Sequence, residues 1–144
     1  MRFQVHSVLL VDDNEAVNFA HKKLISTIDD CINIAIAEDG SEAIAHLENT
    51  SGTESYPDII FLDINMPGMD GWQFLDTFEE NYLNKSKAII IVMVTTSFNP
   101  EDKKKFESYK FVHQYLNKPL KKSDVSAVFS EYFSRMKRGD NVFA

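Results

Sequence analysis

One cysteine, Cys31, stands in a chain of 144 residues, so no intramolecular disulfide can form. No apolar run approaches the roughly 18 residues that a membrane-spanning helix requires. Basic residues are the minority: 15 Lys and Arg against 22 Asp and Glu leave a formal net charge of -7. That balance argues against general attraction to nucleic acid or an anionic membrane, so the run Lys103-Lys104-Lys105 reads as a solvated helix face. The four histidines are scattered, and none is spaced as a metal-ligand pair. Met1 to Gln4 lead directly into a strand, without the apolar segment and cleavage site of a secretory leader. Internal repeats, low-complexity tracts and second-domain linkers are also missing. These absences set an expectation of one cytoplasmic domain over residues 1–144, with its core at about 5–138, no output domain, and no direct binding to nucleic acid or membrane.

What the chain does contain is a set of apolar runs at regular intervals. Val8 to Val11, Ile59 to Leu62 and Ile89 to Val94 are continuously apolar, as strands covered on both faces of a parallel sheet are. Residues 32–37 alternate instead, with Ile32, Ile34 and Ile36 on one face, and residues 111–116 mix apolar with polar side chains. Those two segments suit sheet edges. Helical spacing fills the gaps. Asn14 caps a helix with the stripe Val17, Ala20, Leu24 and Ile28, closed by Asp29-Asp30. The Asp39-Gly40 turn and Ser41 open a second, with Ala43, Ile44 and Leu47 inward, stopping near Asn49. Residues 50–56 are small and polar and read as a surface loop.

Trp72, Leu75, Phe78 and Tyr82 mark a third helix, followed by a turn at Asn84 to Lys87. Asn99, Pro100, Glu101 and Asp102 form a cap, a first-turn proline and two acids suited to the helix dipole. That fourth helix has only Phe106 and Tyr109 as large apolar residues, so it should be loosely held. Ser123 caps a last helix with Val125, Val128, Phe129, Tyr132 and Met136 on one face, ended by Arg138 to Asn141. Five β-α units with central strands first, third and fourth predict a doubly wound sheet in the order 2-1-3-4-5.

In such a sheet, ligand chemistry gathers beyond the carboxyl ends of the strands. The first run ends in Asp12-Asp13, the third in Asp63, the fourth in Thr95-Thr96 and the fifth in Asn117-Lys118-Pro119. One rim would then carry three carboxylates, a hydroxyl and an ammonium. Three close carboxylates repel one another unless a cation joins them, and hard oxygen ligands suit Mg²⁺. An acidic metal site with a Lys point charge and a Thr donor is what a phosphoryl group on a carboxylate would need. Simpler roles exist for each residue singly: Asp63 as a solvated strand end, Asp12 or Asp13 as a helix cap, Lys118 as a solvated lysine.

From Asp12-Asp13, Asp63 with Met66-Pro67-Gly68-Met69-Asp70-Gly71, Thr95, Tyr115 and Lys118-Pro119, the chain resembles the CheY-like receiver domain of two-component response regulators. The resemblance covers roughly residues 5–138 and implies a flavodoxin-like single domain. It implies that Asp63 accepts a phosphoryl group from a phosphohistidine of a histidine kinase or histidine phosphotransfer protein. Asp13 and Asp63 would ligate Mg²⁺ with the Asn65 backbone carbonyl, Asp12 acting directly or through water. Lys118 would pair with the acids and then with the phosphoryl oxygens, across a cis peptide to Pro119. Thr95 and Tyr115 would be the switch pair, moving the loop around Phe98 and the face made by the fourth helix, fifth strand and last helix. That face would bind a downstream protein partner or a second copy. Asn65 and Ser97 fall at the family positions that tune phosphate lifetime. By this resemblance the chain is a signalling phosphoacceptor and no enzyme beyond assisting its own phosphotransfer and dephosphorylation.

Two other readings stay open at this point. Asp63-Ile64-Asn65 resembles the Asp-x-Asp nucleophile motif of haloacid-dehalogenase-like phosphatases, but Asn65 stands where that motif needs an acid, and the motif normally sits on the first strand. A receiver-like scaffold without phosphorylation is the other; such proteins usually lose an acid or the lysine, and this chain keeps them all.

Overall fold

A computed structural model describes residues 4–83, 89–96 and 99–138. The turn at 84–87, Ser97, Phe98 and the helix end at 139–141 lie outside the described residues. Ten elements alternate: β1 (Ser7–Val11), α1 (Glu15–Ile28), β2 (Asn33–Ala37), α2 (Gly40–Thr50), β3 (Ile59–Leu62), α3 (Gly71–Asn81), β4 (Ile90–Thr95), α4 (Pro100–Ser108), β5 (Val112–Asn117) and α5 (Lys122–Arg138). The strands form one parallel sheet in the order β2-β1-β3-β4-β5, as the apolar patterning predicts. Every residue of β1, β3 and β4 is buried, whereas the edge strands β2 and β5 are mixed. No helix among the described residues is long and apolar enough to cross a membrane.

Because side chains alternate along a strand, the sheet builds two cores. Leu9, Val11, Ile60, Leu62, Ile91 and Met93 face one way, against Leu47 of α2 and Phe74 and Phe78 of α3. Val8, Leu10, Ile59, Phe61, Val92 and Val94 face the other, against Ile25 of α1 and Val125 and Val128 of α5. Register aligns the strand ends. Val11 lies beside Leu62, so Asp12 and Asp63 leave the sheet as neighbours. A shift between Ile91 and Val92 then sets Thr95 opposite Asn117, one residue before Lys118.

Several local expectations need correction. The buried positions of α1 are Asn18, His21 and Ile25, whereas Ala20 is exposed and Val17, Leu24 and Ile28 only flank the contact. The helix is rotated so that two polar residues face inward, each with a hydrogen-bond partner described below. Tyr56, read as part of a surface loop, is buried against the α2-α3 core. α5 begins at Lys122, and Asp124 accepts the Lys121 N–H at 3.0 Å, so Ser123 is inside the helix and does not cap it. Asn14, Asp39, Asp70 and Asn99 do cap, each accepting an amide of the first turn. Asp70 and Gln73 form a reciprocal capping box on α3.

No residue of α4 is buried. Its C-terminal end is nevertheless tied to α3. Tyr109, its C-cap, stacks on Trp72 with ring centres 5.6 Å apart and donates its hydroxyl to Asp76 Oδ1 at 2.7 Å, and Lys105 Nζ lies 5.0 Å over the Trp72 ring. The expected weakness in apolar burial is thus accompanied by an aromatic and polar latch along one side.

A second carboxylate, Asp58, closes the opposite end of β3 from Asp63. Its Oδ2 accepts the amides of His6 and Ser7 at 2.7 and 3.0 Å, and its Oδ1 accepts the Tyr132 hydroxyl at 2.9 Å. It fastens β1 and α5 to β3 from inside the protein, 1% exposed. Leaving those donors unpaired is costly, so Asp58→Ala should lower stability in urea unfolding by about 3 kcal/mol and Tyr132→Phe by about 1 kcal/mol. Equal and negligible losses for both would show that this carboxylate does not tie the elements together.

Candidate functional site

At the carboxyl end of the sheet, Asp12, Asp13 and Asp63 each present a carboxylate oxygen within 4.8 Å of the other two. Strand pairing puts them there: the Asp12 N–H donates to Ala37 O at 3.0 Å and the Asp63 N–H to Val11 O at 2.9 Å. Asp12 and Asp63 are 5% and 7% exposed, whereas Asp13 is open to solvent. The Lys118 ammonium bridges the two buried acids, contacting Asp12 Oδ2 and lying 3.3 Å from Asp63 Oδ1. Asp12 Oδ1 also accepts the Asn14 N–H at 2.8 Å, and Asp63 Oδ1 accepts the Ile64 N–H at 2.9 Å. Burial pushes the Asp63 carboxyl above the usual carboxylate range; Lys118 opposes this shift and Asp12 adds to it.

The segment after β3 is held closely. Gly71 N–H donates to Ile64 O at 2.9 Å, and a Cβ on Gly71 would run into the Asp63 carbonyl. Gly68 takes φ +70°, the left-handed turn that glycine allows after Pro67. This turn brings α3 back under Asp63, while Asn65 sits exposed at the rim. Thr95, 1% exposed, ends β4, and its carbonyl accepts the Lys118 N–H at 2.9 Å. Lys118-Pro119 is a cis peptide. Tyr115 is half-buried on β5, its ring centre 5.3 Å from that of Phe106 on α4.

Asp12, Asp13, Asp63 and Lys118 therefore meet at this rim, with Thr95 joined to Lys118 through its backbone carbonyl and Tyr115 on the neighbouring strand. Oxygen donors of one charge around a partly open position fit a hard divalent cation, and Asp13 supplies the solvent-facing member. A different kind of chemistry is poorly matched: there is no thiol here, since Cys31 is exposed beyond α1, beside Asp29 and Asp30.

Two polar residues behind the rim escaped a reading based on apolar spacing. Asn18 Nδ2 donates to Asp12 O at 2.8 Å, and His21 Nε2 accepts the Leu120 N–H at 3.3 Å. The spacing Asn18–His21–Ile25, three and then four residues, is the signal that places them on one helix face.

The described geometry agrees with what comparisons find. The family model for the response regulator receiver domain matches residues 8–130. Over 127 residues the chain is 30% identical to hybrid signal transduction histidine kinase L of Dictyostelium discoideum, covering 87% of this chain and 7% of that protein. Over 96 residues it is 35% identical to the nitrate/nitrite response regulator protein NarL of Escherichia coli K12, covering 67% of this chain and 40% of NarL. The chain thus spans only part of these curated relatives. A two-component response regulator from Cytophaga hutchinsonii superposes with a TM-score of 0.81 at 30% identity, covering 91% of this chain and 98% of that one. Since the family model runs from β1 into α5, the chain belongs to the response regulator receiver domain family.

Proposed function

We propose that this chain is a phosphoacceptor response regulator of a two-component phosphorelay, working in the cytoplasm as a receiver unit of about residues 5–138. The observation that carries the reading is the Lys118 ammonium bridging Asp12 and Asp63 beside the open Asp13. In this reading an Asp63 carboxylate oxygen attacks the phosphorus of a phosphohistidine on a histidine kinase or phosphotransfer protein. The O–P bond forms as the P–N bond breaks, and the imidazole leaves with the electron pair. Asp13 and Asp63, with the Asn65 carbonyl and Asp12, would hold Mg²⁺, which when bound would neutralise charge on the transferring phosphoryl oxygens.

The protein's own groups do the rest. Lys118 turns from the acids to a phosphoryl oxygen, keeping a positive charge at the same place before and after transfer. Thr95 donates its hydroxyl to another. The chain acts as a signalling element, with catalysis limited to its own phosphorylation state.

The output face is the surface of α4, β5 and α5. A groove of about 580 Å³ between α4 and β5 is lined by Pro100, Lys103, Phe106, Gln114 and Tyr115, among others. As Thr95 turns toward the phosphoryl group, Tyr115 rotates inward and gives up its contact with Phe106, shifting α4. The phosphoryl group acts through its preference for one of two arrangements, and a protein partner or a second copy reads the result.

Two experiments test these roles. Asp63→Asn keeps volume while removing charge and nucleophile, so it should abolish phosphorylation by acetyl phosphate, read on a phosphate-affinity gel, with an unchanged circular dichroism spectrum. An Asp63→Asn protein phosphorylated as well as wild type removes the assignment. Thr95→Ala should remain phosphorylatable yet lose the beryllofluoride-induced change in amide exchange across residues 99–116. Identical exchange in wild type with and without beryllofluoride would remove the switch.

A further inference from the structure

Lys118 reaches two of the three acids from a short connector, and the position of that connector decides where the ammonium lies. Between β5 and α5 the chain offers few donors. Pro119 has no N–H. The Lys118 N–H is taken by Thr95 O and the Lys121 N–H by Asp124 Oδ2 on the adjoining helix. The Leu120 N–H crosses to α1 instead, donating to His21 Nε2 at 3.3 Å.

His21 is 5% exposed, and Leu120 is equally buried. One helical turn before His21, Asn18 is bonded to the carbonyl of Asp12. A single face of α1 is therefore hydrogen-bonded at one point to the strand end bearing Asp12 and at another to the segment leaving Lys118. Because Nε2 accepts the Leu120 N–H hydrogen bond, it carries no proton of its own, and the neutral ring holds its proton on Nδ1. Burial is the main cause holding this imidazole below the ordinary histidine range; Asp12 pushes it upward, and Lys118 pushes it down again. An apolar residue would fill the same space, but it would leave a buried amide without an acceptor.

We propose that His21 is a positioning residue for phosphoryl transfer: by accepting the Leu120 amide it holds the Lys118 connector where the ammonium spans Asp12 and Asp63. The proposal rests on the phosphoacceptor reading and adds to it a residue outside the rim. It also assigns α1 a second task beyond packing, since the helix fixes both partners of the Lys118–Asp12 pair relative to each other. Misplacement of a reacting or stabilising group by an ångström can cost on the order of a hundredfold in rate. Here Thr95 and Asp124 still hold the connector's two ends, so the loss should be smaller.

The test is the rate of phosphorylation by acetyl phosphate at saturating Mg²⁺ for wild type, His21→Leu and His21→Gln, each with and without Lys118→Ala. Leu removes the acceptor, whereas the Gln side-chain oxygen reaches the place of Nε2. His21→Leu should slow the reaction about tenfold, and His21→Gln should return it to within about twofold of wild type. On the Lys118→Ala background, His21→Leu should slow it no further. A purely structural role predicts the opposite: equal slowing on both backgrounds, or Gln as slow as Leu. Either result overturns the proposal, as does a His21→Leu protein as fast as wild type.

Should His21→Leu fail to fold, the wild-type protein decides through the ¹⁵N shifts of its ring. A bare Nε2 with a protonated Nδ1 is expected; a proton on Nε2 at neutral pH contradicts the bond on which the proposal stands. Wild-type protein that accepts no phosphoryl group would sink the phosphoacceptor reading and this proposal with it, whereas wild-type phosphorylation with indifferent His21 variants would sink only the proposal.

Discussion

The mutual repulsion of Asp12, Asp13 and Asp63 is the constraint on which the carboxyl end of this fold depends. Two like charges about 4 Å apart near a protein surface repel by about 4 kcal/mol. Strand pairing gives Asp12 and Asp63 no way to separate, because the amides of both are fixed in the sheet. Lys118 answers this repulsion from across the rim, and the site is balanced only while a cation stands among the acids. In the proposed function, a change of charge at Asp63 would act first on Lys118, which is bonded to it and to Asp12.

Rigid and adjustable parts are segregated around this centre. β1, β3 and β4 are buried on both faces, and the Asp58 carboxylate locks β1, β3 and α5 together at the far end of the sheet. α4 lies at the other extreme, with no buried residue and a latch made from Trp72, Tyr109 and Asp76. Elements with few buried apolar contacts are those whose rearrangement costs least. The half-buried Tyr115, between the site and Phe106, stands on the border of the two regions.

Much of this arrangement is legible in the amino-acid sequence because burial leaves a pattern. Continuous apolar runs mark the strands covered on both sides, the alternation at 32–37 marks an edge, and polar residues directly after the runs mark the rim. Asn14 and Asn99 are readable for a similar reason, since a cap acts on its own neighbouring amides. Other features depend on partners distant in the chain. His21 and Asn18 lie beside the apolar stripe of α1 and not on it, and only the positions of Leu120 and Asp12 explain why polar groups are buried there. Tyr56 lies in a polar stretch yet fills a place in the core that α2 and α3 create between them. Asp58 and Asp63 flank the same strand with the same side chain. What separates a fastening carboxylate from a reactive one is that Asp58 is enclosed by amides and a phenol, whereas Asp63 faces other acids and a lysine.

In the proposed function, phosphorylation falls on Asp63. Its most direct measurement is peptide mapping by mass spectrometry of the wild-type protein after exposure to acetyl phosphate and Mg²⁺, with the acyl phosphate trapped by borohydride before digestion. A single modified site at Asp63, absent when EDTA replaces Mg²⁺, is expected. Modification at Asp58 or another residue, or incorporation that is indifferent to EDTA, would contradict it.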